Sequence, residues 1–141
     1  MTEYTDPPGM PEDERMTPAE FKVVREFLGL SGDWLAEHLK VNPRTVRAWE
    51  QGRYPIPDGV RLELERMETQ TGEFIGRAVD RLMDLPDPAI LTYRSDPEYH
   101  TAHPDVAWPA SWHRMVCARV ALEIPGLSIV YPDAVTADAT G

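Results

Sequence analysis

The stretch VNPRTVRAWEQGRYPIP, residues 41–57, holds the side chains of this chain best suited to recognition chemistry: Arg44, Arg47 and Arg53. With Lys40 just ahead, four cations stand between residues 40 and 53 against Glu50 alone. Arginine can donate twice to guanine O6 and N7 in a major groove, and arginine and lysine both neutralise phosphates. Cations near one helix are most often only a solvated face, so charge by itself does not define a nucleic-acid surface. The question is whether the neighbouring residues hold these arginines on the free side of a helix.

Three capped helices are predicted to do so. Thr17-Pro18-Ala19-Glu20 forms a capping box with proline at the first helical position, and the helix that follows buries Phe21, Val24 and Leu28 before Gly29 stops it. Ser31 caps a second helix, SGDWLAEHL, with Leu35, Ala36 and Leu39 inward and Asp33 suited to its positive end. Asn42-Pro43 caps a third, PRTVRAWEQ, which Gly52 ends. Its Val46 and Trp49 are three residues apart and face the core, leaving Arg44, Thr45, Arg47 and Ala48 for base edges. Arg44 is on the first turn and Arg47 one turn on. Thr45 offers a hydroxyl and a methyl group, and Ala48 is small enough to let the helix sit deep. Lys40, Asn42, Gln51, Arg53 and Tyr54 suit phosphates, as do the amides from Ser31 onward at the start of the second helix.

The run FKVVREFLGLSGDWLAEHLKVNPRTVRAWEQGRYPIP resembles the Cro/CI-like, or Xre-type, helix-turn-helix across about residues 17–65. The match rests on small Ala36, Val41 at the turn, Val46 and Trp49 in the third helix, and the closing Glu50-Gln51-Gly52-Arg53. Gly32 departs from it, because Xre-type domains often place a glutamine after the cap. Farther on, YRSDPEYH and WHRMVCARVALE followed by a strand make the whole chain similar to YdiL-like proteins and anti-CRISPR-associated regulators. That resemblance implies a C-terminal dimerisation module and a dimer that represses its own operon through an inverted repeat.

The remaining elements fit a mainly α fold: an N-terminal helix-turn-helix bundle plus a small α+β C-terminal module with short strands. After Pro55 and Pro57, Asp58 opens a long helix over about 59–84, with Val60, Leu64, Met67, Thr71, Phe74, Ala78 and Leu82 along one seam. Gly72 and Gly76 predict a kink there. Residues 89–93 and 127–131 read as strands, Asp96-Pro97-Glu98 as a helical turn, and 109–123 as a helix apolar over much of its circumference. Such a helix needs cover on more than one side, and Trp112, Met115, Val116 and Val120, with Tyr93 and Ile129, are the expected dimer contacts. The predicted division is a disordered arm at 1–15, a DNA-binding domain at 16–66, a connecting helix at 67–86, the dimerisation module at 87–132 and a flexible tail at 133–141.

Composition limits the alternatives. The formal charge of −10 argues against indiscriminate nucleic-acid binding and leaves one face to approach DNA. Residues 18–58 are balanced, six cations against six anions, whereas residues 1–17 carry one against five and residues 87–141 three against seven. The single cysteine cannot form an intramolecular disulfide, and neither a secretory leader nor a long apolar run is evident, so a soluble cytoplasmic protein without membrane association is expected. A zinc site from His100, His103, His113 and Cys117 was weighed and set aside, since Cys117 falls among apolar residues and two of the histidines in a proline-rich loop. No catalytic motif, metal or cofactor is expected. The sequence therefore points to a homodimeric, sequence-specific repressor of its own operon, with double-stranded DNA as partner. The alternative is an antitoxin-like or phage host-directed factor whose C-terminal module grips an unidentified protein.

Overall fold

The structure is a computed structural model that describes residues 15–133. Apart from Arg15 and Asp133, the predicted arm and tail lie outside the described residues. The described chain is mainly helical, with helices α1 Pro18–Phe27, α2 Gly32–Leu39, α3 Pro43–Glu50, α4 Asp58–Leu82, α5 Asp96–Ala102 and α6 Ala110–Glu123. Strands β1 Ala89–Leu91 and β2 Ser128–Val130 pair in parallel, with Ile90 opposite Ile129. The chain divides into two compact units, Met1–Gln70 and Thr71–Gly141, and α4 contributes to both.

Caps begin the first three helices as the sequence predicts. Thr17 Oγ1 accepts from the Glu20 amide at 3.1 Å while Glu20 Oε1 accepts from the Thr17 amide at 2.8 Å. Those bonds also hold the Glu20 carboxyl below its ordinary range. Ser31 Oγ accepts from the Trp34 amide, and Asn42 Oδ1 from the Arg44 amide. Gly29 and Gly52 adopt positive φ just beyond α1 and α3, a conformation that glycine enters without steric penalty. Lys40 does the same at the end of α2 with φ 60°, unusual for a residue with a Cβ. The Val41 amide then bonds the Ala36 carbonyl, and three residues suffice to turn the chain into α3.

The core of the first unit joins Phe21, Leu28, Leu35, Leu39, Val46, Trp49, Ile56, Val60, Leu64 and Met67. Phe21 meets Trp49 edge to face, with ring centroids 5.8 Å apart. Val24, expected in the α1 stripe, is only half-buried. Positions 21, 25 and 28 face inward together, and the middle one is Arg25.

Helix α4 is not broken at the two glycines and continues as one helix through Gly72 and Gly76. A Cβ at either glycine would meet nothing within 4 Å, so both sit on the open side. Their cost is conformational entropy.

In the second unit, Tyr93, Tyr99, Trp112, Val116, Cys117, Val120 and Ile124 are buried together. Trp112 donates through Nε1 to Thr71 Oγ1 at 3.0 Å, meets Phe74 edge to face and stacks on Trp108. The strands are three residues each, shorter than predicted, although the Thr92 amide extends the ladder by bonding the Val130 carbonyl. This core revises the expected dimer contacts. Trp112, Val116, Val120 and Tyr93 are at most 4% exposed, so the unit itself supplies the cover that α6 needs. Met115 is half-buried, and Ile129 remains 42% exposed. No helix among the described residues is long and apolar enough to cross a membrane.

Candidate nucleic-acid interface

Helix α3 packs against both α1 and α2, and this decides which of its side chains are free. Val46 and Trp49 point inward as predicted, at 1% and 4% exposure. Ala48 does too, at 6%, which corrects its assignment to a base-reading face. The helix then closes on a glycine C-cap, with Gly52 at positive φ and the Arg53 amide bonding the Ala48 carbonyl at 2.9 Å. Thr45 is half-buried at the margin. The exposed stripe is Arg44, Arg47 and Gln51, spaced i, i+3 and i+7, so Gln51 shares the face of the two arginines.

Lys40, Asn42, Arg53, Tyr54 and Ser31, the predicted phosphate contacts, are all exposed. Asn42 and Ser31 already use one oxygen each to cap a helix, so the groups left to them are the Asn42 amide nitrogen and the Ser31 hydroxyl hydrogen. Ser31, Arg47 and Gln51 line one hollow of about 420 Å³ with Lys22, which continues the cationic surface onto α1. Asp33 tempers it, 4.0 Å from Arg47 Nη1. Both side chains are well exposed and the pair is loose, so Arg47 stays available to another anion.

The sequence reading missed the ion pair that fixes α3. Arg25 of α1 donates through Nε and Nη2 to the two carboxylate oxygens of Glu50 at 3.1 and 2.9 Å, and through Nη1 to the Leu30 carbonyl at 2.9 Å. Each side chain is 14% exposed. Two clues were present: Glu50 is the lone acid of the cationic stretch, and Arg25 lies on the inward face of α1.

The histidines of the second unit are engaged in hydrogen bonds. His100 Nε2 bonds the Trp108 carbonyl, His103 Nε2 the Tyr93 hydroxyl, and His113 Nδ1 the Thr92 hydroxyl, each at 2.9 Å. Burial pushes the His113 imidazole down to about 4 and the Cys117 thiol up. Among the described residues, no group of three or more His, Cys, Asp or Glu side chains is placed to hold a metal ion.

One unit presents a capped cationic helix and the other is built around an aromatic core, so the chain is a small, mainly helical protein of two parts. More narrowly, the chain belongs to the Aca2/YdiL-like family, whose sequence model matches residues 16–124. It is 31% identical over 100 residues to the Aca2 repressor of Pectobacterium phage ZF40, a match that covers 68% of this chain and 86% of that protein.

Proposed function

We propose that the protein is a cytoplasmic, sequence-specific DNA-binding repressor that acts as a homodimer on an inverted repeat in its own operon, without catalysis or cofactor. The observation that carries this reading is the division of α3. Val46, Ala48 and Trp49 anchor it, while Arg44, Arg47 and Gln51 project from the opposite side with no core duty. In this reading Arg44 and Arg47 meet base edges, with Thr45 at the margin and Lys40, Arg53 and Tyr54 on the backbone. Two such heads related by a two-fold axis reach half-sites about 34 Å apart.

Footprinting on the DNA upstream of the gene, followed by affinity measurements across a salt series, tests the proposal. The parent should protect two symmetric half-sites. Arg44→Ala and Arg47→Ala should each weaken specific binding by about 1–3 kcal/mol. Arg53→Ala should instead reduce the salt slope by about one. Unchanged affinity in both Arg44→Ala and Arg47→Ala removes α3 as the reading element.

A second reading, capture of another protein by the C-terminal unit, draws support from Leu122, which is 85% exposed. Light scattering separates the two: a homodimer supports the repressor, and a monomer supports a missing partner.

A further inference from the structure

The second unit contains a cavity of about 830 Å³, walled by the end of α4, β1, α5 and one side of α6. Its size falls in the range of small-molecule pockets, about 300–1,000 Å³. Two of its lining groups are deeply buried and yet lack a hydrogen-bond partner. Tyr99 is 1% exposed, and its hydroxyl bonds nothing among the described residues. His113 is 6% exposed and engages Thr92 and Cys117 through Nδ1, which leaves Nε2 open. Neither the Tyr99 hydroxyl nor His113 Nε2 is sealed from solvent, so both keep access, and the cavity they line provides it. Two groups of this kind could be served by one or two waters, each of which needs roughly 30 Å³, a small part of the space present.

The mouth carries charge. Arg77 and Arg81 stand one turn apart on α4 beside Asp80, two cations against one anion. The Arg77 guanidinium lies over the Phe74 ring, and Arg81 has no ion pair among the described residues. The rest of the lining is largely apolar, with aliphatic side chains such as Leu82, Leu85 and Ile90 beside an aromatic part in which Tyr93 and Tyr99 stack at 5.0 Å.

We infer that this cavity is a binding site for a small planar aromatic carboxylate bearing a distal hydroxyl group. Its carboxylate pairs with Arg81, its ring lies against the tyrosine wall, and its hydroxyl reaches the Tyr99 hydroxyl and His113 Nε2. Burial keeps His113 uncharged at neutral pH, so Nε2 meets the hydroxyl as a neutral partner. The inference is independent of DNA binding, since every lining residue belongs to the second unit.

The test uses the full chain and 6-hydroxy-2-naphthoate as probe, followed by calorimetry, with 2-naphthol as the analogue lacking a carboxylate. Saturable binding of one probe per chain is expected. Arg81→Gln or loss of the carboxylate should weaken it about tenfold or more, the share of one charge-assisted hydrogen bond. Tyr99→Phe, which removes only a hydroxyl, should weaken it several-fold while circular dichroism and Tm stay at parental values. Three outcomes overturn the inference: no saturation by about 1 mM probe, equal affinity in the parent and both variants, or binding that appears only when the protein is diluted to monomers. The last would mean that a second copy of the chain fills the cavity.

Discussion

Replacing Glu50 with glutamine should loosen the pose of α3 without touching its outer face. In the parent, two arginine N–H groups meet two carboxylate oxygens at 3.1 and 2.9 Å, with both side chains 14% exposed. Exposed pairs contribute about 0–1 kcal/mol, whereas removing one member of a fully buried pair costs about 3–5 kcal/mol. This pair lies between those limits, and glutamine keeps one acceptor oxygen, so a loss of about 2 kcal/mol is expected. The assay is urea denaturation of the parent, Glu50→Gln, Arg25→Met and the double variant. With a slope of about 2 kcal/mol per molar, the single substitution should move the midpoint by about 1 M. The cycle should yield a coupling energy near 1.5 kcal/mol. Operator affinity should fall in Glu50→Gln, because Glu50 is bonded to Arg25 and lines the hollow beside Arg47. A coupling below about 0.5 kcal/mol would refute the reasoning and leave the apolar core alone to hold α3.

Three further outcomes follow from the fold. His113 takes up a proton near pH 6.5 when unfolded but only near pH 4 when folded, so its contribution is complete above pH 6.5 and is lost as pH falls toward 4. A loss of up to about 3 kcal/mol in a pH series of denaturation midpoints, flattened in His113→Gln, checks this. Gly72→Ala and Gly76→Ala, which add a methyl group into open space, should each raise stability by about 0.5–1 kcal/mol in thermal melts. Lys40→Gly relieves a left-handed backbone and should stabilise the first unit by about 1 kcal/mol. The same variant should lower the salt slope of DNA binding by about one.

The helix starts were legible because capping is a local code. Thr17, Ser31 and Asn42 each satisfy an amide two or three residues on, and no distant part of the chain is needed to recognise them. The long seam of α4 was legible for a related reason, since seven positions at regular spacing outvote two glycines. What escaped depends on partners far away in sequence. Ala48 is buried beside Val46 and Trp49, and two apolar residues in an eight-residue helix do not reveal that the buried side extends to a third. Tyr93, Trp112, Val116 and Val120 read as an interface because a helix apolar over much of its circumference needs cover on more than one side, and the sequence does not say where that cover comes from. The packing of Thr71, Phe74 and Trp108 around Trp112 shows that it does enclose them. Arg25 was passed over because an inward-facing arginine becomes intelligible only when its carboxylate, twenty-five residues later, is in place.

The residues that set the pose of α3 and those that project from its outer surface are different side chains that meet in one hollow. Phe21 and Trp49 do only the first, and Arg44, Arg47 and Gln51 only the second, while Arg25, Val46 and Glu50 fix the helix and also line the hollow beside Arg47. Substitutions in the outer set cross no core boundary and so draw little on folding stability. On the proposed reading, the head can therefore be retargeted to a new operator by changing three side chains, in evolution as in the laboratory.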